Sequence, residues 1–270
     1  MLQTDFERIQ SKQNSYKYLS LEYIDYSDIP EYQIILENEN TILLFGYNNE
    51  AKSYEYHWAA NHPAELLEAI DQELSCLITF IPDEWVEVFK NSGFLVRNAW
   101  HDYFMDSLEH IPEGEGVESL KEEESEEASL VTLACRGQSR GFTGQTTEWV
   151  REWIDNSEEV MEETGIRNKV IFIERNDKGE LVGIVCTGTY GHESEKGAVV
   201  WIREVAVKPE YQRKGIARKL INQALAYGKE HGAKRAFLAA DECNTYAIHL
   251  YESIGFRAAD GKSQIDMIRE

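Results

Sequence analysis

Residues Gln212-Arg213-Lys214-Gly215-Ile216-Ala217 stand between an apolar, strand-like run over 201–207 and an amphipathic helical pattern over about 217–231. A strand that turns straight into a helix presents the helix's first N–H groups, which have no internal partners, at the positive end of the peptide dipoles. An anion docks readily at such a turn. Gly215 lets the backbone approach a phosphate closely, and the small Ala217 keeps the helix start near the strand. Arg213, Lys214, Arg218 and Lys219 place four basic residues in seven positions of a chain that carries 49 acidic and 27 basic side chains. On its own the pattern fits either an anion cradle or an ordinary strand-to-helix turn on a basic surface.

A second motif lies downstream. Asn244 suits a helix N-cap, Ala247, Leu250, Tyr251 and Ile254 recur on one helical face, and Gly255 suits the helix end. Asn244 and Tyr251 are seven positions apart, so their side chains point the same way.

In these elements the chain resembles the GNAT superfamily of acyl-CoA-dependent N-acetyltransferases. The resemblance rests on E-V-A-V-K-P-E-Y at 204–211, Q-R-K-G-I-A at 212–217 and N-x-x-A-x-x-L-Y-x-x-x-G-F at 244–256, in the family's order. It covers roughly residues 129–270, and its one departure is Ala217 where glycine is common. It implies an α+β fold with a mixed, mostly antiparallel central sheet flanked by helices. Two central strands splay apart in that fold and admit the pantetheine arm, whose amides pair with strand backbone as a third strand would. The implied cosubstrate is acetyl-CoA, and no metal is expected. The implied cofactor-binding residues are Val205, Ala206, Val207, Gln212, Arg213, Lys214, Gly215, Ile216, Ala217, Arg218, Asn244 and Tyr251.

Amide formation from a thioester needs an aligned amine, a route for its proton, stabilisation of the oxyanion and a proton for the departing thiolate. Tyr251 matches the family's tyrosine that protonates the coenzyme A sulfur. Glu204 is the candidate base, because desolvation in an apolar strand raises a carboxyl toward a useful range. Its alternative is an ion pair; strand alternation argues against neighbouring Arg203 as that partner. A backbone N–H around Val205 to Val207, freed by a bulge, is the expected oxyanion donor. Asn244 serves either the pantetheine arm or its own helix as a cap. The loop C-R-G-Q-S-R-G-F-T-G-Q over 135–145 reads as a flexible loop, with Arg140 and Phe142 as weaker candidates for an acceptor pocket.

At 270 residues there is room for two domains. Residues 112–128, P-E-G-E-G-V-E-S-L-K-E-E-E-S-E-E-A, are rich in Glu, Gly and Ser and read as an acidic linker between domains at 1–111 and 129–270. Residues 119–128 could add an exposed helical turn, residues 130–134 read as a strand, and 256–267 as an interrupted terminal strand pair. Laying Gly93-Phe94 on Gly255-Phe256 sets Phe89 on Tyr251 and Pro82 on Asn244, while the turn Ala59-Ala60-Asn61-His62-Pro63 has neither glycine nor a basic residue. The first half therefore reads as a degenerate copy of the same fold, in tandem with the second; an unrelated small α+β domain is the alternative.

The net charge of −22 is uneven: residues 1–127 hold 28 acidic and 7 basic side chains, residues 128–270 hold 21 and 20. Such a field disfavours nucleic acid and anionic membrane. It either serves solvation alone or draws a cationic amine acceptor. The four cysteines are too widely spaced for a zinc site or a disulfide frame, which suggests buried thiols. There is no long apolar run and no signal-peptide pattern at the start, so a cytoplasmic protein, monomeric or homodimeric, is expected. The favoured function is an N-acetyltransferase that moves acetyl to a primary amine of a small molecule or peptide. An acyl-CoA-binding sensor without turnover is the second reading, and a scaffold of two worn domains the third.

Overall fold

The computed structural model describes residues 1–29, 31–49, 52–114, 116–259 and 264–270. In chain order the elements are α1 (Gln3–Lys12), β1 (Tyr18–Leu19), β2 (Gln33–Glu37), β3 (Thr41–Asn48), β4 (Ser53–Ala60), α2 (Pro63–Ala69), β5 (Cys76–Ile81), α3 (Val86–Asn91) and β6 (Leu95–Met105). There follow α4 (Ser125–Leu133), α5 (Thr147–Ile154), α6 (Glu158–Thr164), β7 (Arg167–Arg175), β8 (Leu181–Tyr190), β9 (Val199–Val207), α7 (Ile216–Glu230), β10 (Arg235–Asp241), α8 (Thr245–Ile254), β11 (Arg257–Ala258) and β12 (Gln264–Arg269). The contacts divide these into two compact units, Met1–Trp100 with Gly261–Glu270, and His101–Asp260.

The first unit is a mixed, mostly antiparallel sheet. β2, β3 and β4 form an antiparallel meander, β4 and β5 run parallel, and β12 lies antiparallel between β5 and the first half of β6. Alternation along β3 sorts its side chains. Leu43 packs with Trp58, Leu66 and Phe89 on the face covered by α2 and α3, while Ile42 and Leu44 pack with Phe6, Ile9 and Leu21 on the face covered by α1. Helix α2 stops at Ala69, where Ile70 turns to extended backbone and is buried.

In the second unit, β7, β8 and β9 are antiparallel, and β9 and β10 are parallel. The second half of β6 neighbours β10 and pairs with β11. Each unit's sheet is thus completed by a strand from the far end of a chain segment: β12 closes the first, the end of β6 closes the second. Of the terminal pair expected over 256–267, residues 260–263 lie outside the described residues, and β12 pairs with β5 and β6 rather than with β11. On one face of this sheet α7 packs Leu220, Ile221, Ala224 and Leu225 against Val185, Val200, Ile202 and Leu238. On the other, α4 and α5 pack Ala128, Val131, Val150 and Trp153 against Ile171, Ile184, Cys186 and Ala206.

Residues 130–133 form the end of α4 and Ala134 is its C-cap, so the expected strand is helical instead. Ala128 and Val131 on α4, with Cys135 just past its end, recur at helical spacing on the buried side, and that pattern overrides the short apolar run. The acidic stretch ahead of α4 also packs within the second unit. Leu120 N–H donates to Ile171 O at 2.8 Å, Ile173 N–H donates to Glu118 O at 2.9 Å, and Arg175 pairs with Glu118, Glu124 and Glu127. Three of the four free cysteines are buried, as expected, but Cys243 is exposed. Among the described residues no helix is long and apolar enough to cross a membrane.

Candidate active site

The parallel strands β9 and β10 pair only at Val199↔Arg235, Val200↔Ala236 and Trp201↔Phe237, then part. From Ile202 onward β9 has β8 on one edge only. Lys208 N–H donates to Val182 O at 2.9 Å, so alternation sends the N–H groups of Ala206 and Glu204 toward β8 and those of Val205 and Val207 into the gap. Val207 O is already committed, accepting from Gln212 Nε2 at 2.9 Å and Cys135 Sγ at 3.3 Å. Burial pushes that thiol up to about 11, so it acts as a hydrogen-bond donor. The backbone left for an extended ligand is the Val205 carbonyl and the Val207 N–H, since the Val205 N–H is engaged by the Glu204 carboxylate.

The end of β9 leads into the basic turn. Arg213 and Gly215 both have left-handed backbone, φ +62° and +83°, and Gly215 is the N-cap of α7. The first helical hydrogen bond runs from Lys219 N–H to Gly215 O at 3.0 Å, so the N–H groups of Ile216, Ala217 and Arg218 precede it. A Cβ placed on Gly215 meets nothing within 4 Å. The space before the helix is open, and the turn fits a diphosphate. Gln212 braces the turn, its Nε2 also donating to Gln138 Oε1 at 2.7 Å. Lys219 is paired with Glu174 at 2.7 Å, whereas Arg213, Lys214 and Arg218 form no ion pair among the described residues. Arg213 lies over the Tyr246 ring, Lys214 over Tyr211, and Arg218 donates to Ser253 Oγ.

Glu204 accepts from Gln145 Nε2 at 3.0 Å. Burial raises its carboxyl above the usual range, against the pull of Gln145, the Arg203 charge and the Val205 N–H. The bulge expected near Val205 to Val207 lies earlier. Cys186 faces Glu204 and Thr187 faces Ile202, which leaves Arg203 as the extra residue. A bulge interrupts strict alternation, and the Arg203 guanidinium stacks over Trp149 and Trp201, which belong to the α4 and α5 face with Ala206. Strict alternation therefore breaks at Arg203, but among the described residues it forms no ion pair with Glu204 and acts on that carboxylate by its charge alone.

Tyr251 packs against the α7-side core, its ring 6.3 Å from that of Phe256. Its hydroxyl has no hydrogen-bond partner among the described residues. Burial, then the Glu204 charge, raises the phenol far above its ordinary value, which keeps it protonated. Asn244 caps α8, its Oδ1 accepting from Ala247 N–H at 3.4 Å, so one of its two open roles is filled. Arg140 reaches the end of β10, donating from Nε to buried Asp241 at 3.1 Å and from Nη2 to Glu242 at 2.9 Å. Nothing local in the sequence ties Gln145 to a strand residue 59 positions away. No group of three or more metal-ligating side chains occurs among the described residues.

The second unit thus combines a splayed parallel pair, an open glycine-led helix start and the strand carboxylate Glu204 near the partly buried Tyr251. Residues 138–256 match the family model described as Acetyltransferase (GNAT) family. The spermine/spermidine N(1)-acetyltransferase of Bacillus subtilis is 31% identical over 83 residues, 30% of this chain and 55% of that protein. A mycothiol acetyltransferase of Thermobispora bispora is 37% identical over 79 residues, 29% of this chain and 27% of that protein. The chain thus spans about half, or about a quarter, of these relatives' length. Among solved structures, a tandem GNAT protein from the clavulanic acid biosynthesis pathway superposes with a TM-score of 0.56 at 15% identity, covering 86% of this chain and 79% of the other. A GCN5-related N-acetyltransferase from Sphaerobacter thermophilus gives 0.53 at 14%, covering 86% and 80%. These structures share the fold.

Proposed function

We propose that the chain is an N-acetyltransferase that moves an acetyl group from acetyl-CoA to a primary amine by direct attack. The observation that carries this reading is the unpaired edge of β9 at Val205 and Val207, which opens beside the free first turn of α7. An extended arm with amides at intervals finds strand partners there, and its diphosphate finds the N–H groups of Ile216, Ala217 and Arg218 with the unpaired cations of Arg213 and Lys214 beside them. The GNAT family match supports acetyl-CoA as cosubstrate. The cosubstrate supplies an activated acyl carbon; the protein's part is to align and to move protons.

An amine with the ordinary lysine pKa is neutral about once in ~2,500 molecules at pH 7, a cost of about 4.6 kcal/mol. Glu204, raised by burial, lowers that cost by taking the proton, directly or through a water. Tyr251, held protonated, supplies a proton to the departing sulfur. The Val207 N–H, turned into the gap, is the candidate donor to the developing oxyanion.

The test is thiol release from acetyl-CoA with a panel of primary amines, including polyamines, amino sugars, amino acids and peptide N-termini. Amine-dependent release supports an enzyme. Tight acetyl-CoA binding with no release for any amine replaces the enzyme with a sensor, and no binding of any coenzyme A derivative ends the reading.

A further inference from the structure

The first unit contains its own splayed pair. Strands β4 and β5 run parallel and pair only at Glu55↔Leu77 and Tyr56↔Ile78. Beyond that point the free edge of β4 is not open. β1 lies antiparallel on it, Tyr18 facing Ala60 and Leu19 facing Ala59. The next residue continues the contact: Ser20 N–H donates to Trp58 O at 2.7 Å, and Trp58 N–H donates to Ser20 Oγ at 2.9 Å. On the β5 side, the Trp58 indole N–H donates to Thr79 O at 2.9 Å.

The same short segment also reaches both ends of the gap. Lys17 N–H donates to Asn61 Oδ1 at 3.0 Å, in the turn that leads into α2. Tyr18 stands edge-on to Trp85 with ring centroids 5.1 Å apart, and its hydroxyl donates to Glu84, just ahead of α3. Tyr18 is 8% exposed and part of the unit's core. The turn itself opposes an anion: α2 starts with Pro63, which has no N–H to offer, and is only seven residues long.

From these contacts we infer that residues 17–20 are an internal strand ligand that occupies, in the first unit, the place an acyl carrier arm takes in the second. The chain therefore binds one acyl-CoA, in the second unit alone. The inference rests on the cosubstrate reading above. Each structural group that would meet the carrier is already matched: the β4 edge by backbone, the turn by Lys17, and the helix start after β5 by Tyr18.

Two measurements on the full chain test it. Calorimetric titration with acetyl-CoA is expected to give one site, and Gly215→Trp, with its fold checked by circular dichroism, to give none. Two sites in the parent, or one site surviving in Gly215→Trp, would overturn the inference. Hydrogen exchange at the Tyr18 and Ser20 amides, which face β4, is expected to be slow and unchanged by acetyl-CoA; fast exchange, or acceleration on adding ligand, would also overturn it. A titration showing no site at all ends the cosubstrate reading of the second unit, while the exchange rates still decide whether β1 holds the first unit's gap shut.

Discussion

Gln145 Nε2 donates to Glu204 Oε2 at 3.0 Å, a bond that joins the loop before α5 to the bulged strand β9. The bond favours the ionised carboxylate, whereas burial, the larger effect, opposes it. Activity that needs the carboxylate rises with pH through Glu204's raised value. Removing the donor in Gln145→Ala raises that value further, so the acidic limb of kcat/KM moves to higher pH while the plateau is kept. Glu204→Gln loses the limb and about 10²–10⁴-fold in kcat/KM. An acidic limb that stays in place in Gln145→Ala excludes Glu204 as the group reported.

The same shift has a stability consequence. Folded Glu204 holds its proton more tightly than the unfolded chain does, so its contribution is fully present below the unfolded carboxyl value of 4.5 and is lost as pH rises through the folded value. Glu204→Gln removes this loss. Thermal melts at pH 5 and pH 8 are expected to differ less in the variant than in the parent, and equal differences would show that the carboxyl is not perturbed.

Arg140 ties the loop over 135–145 to the end of β10. Asp241 is fully buried and Arg140 is 30% exposed in its side chain, so this ion pair falls between a buried and a surface one. Arg140→Ala is expected to cost about 1–3 kcal/mol in denaturant unfolding. Arg140→Lys keeps the charge but cannot span Asp241 and Glu242 as a fork, so it recovers only part of the loss. No change for alanine would mean the contact is unformed in solution.

The elements around the site were legible where their signals were local. Gly215 after a basic turn, the Asn244 cap and Gly255 at the end of α8 each announce a boundary within a few residues. The bulge at Arg203 was not legible, since Trp201 to Val207 reads as an unbroken strand and the slip is set by which β8 residues it meets. Residues 130–134 look extended over five positions, and only the longer spacing of Ala128, Val131 and Cys135 shows the helix. The placement of β12 beside β5, and of the end of β6 beside β10 and β11, depends on pairings between distant segments that no periodicity records.

Tyr251→Phe removes a hydroxyl that has no hydrogen-bond partner among the described residues and keeps the ring that packs near Phe256. The fold should tolerate it with little loss. Turnover is expected to fall by about 10²–10⁴-fold while acetyl-CoA affinity holds, the pattern of a proton donor acting in the transition state. Since burial and the Glu204 charge keep the phenol protonated, no alkaline limb from Tyr251 should appear in the parent. Unchanged steady-state thiol release in the variant would remove Tyr251 from the chemistry.

Gly215 separates two roles that one substitution can confuse. At φ +83° an alanine is strained by about 1–2 kcal/mol, although its Cβ meets nothing within 4 Å of the turn. Gly215→Ala should therefore lose stability by roughly that amount and lose acetyl-CoA affinity as well. Asparagine accepts left-handed backbone more readily, so Gly215→Asn should regain most of the stability. Its side chain would still project into the space before the helix, and affinity measured by calorimetry is expected to stay low. Because Arg213, Lys214 and Arg218 form no ion pair among the described residues, the parent's affinity should also fall as salt rises. If Gly215→Asn restores both stability and affinity, the glycine serves only the backbone turn, and close approach of a diphosphate is not what it provides.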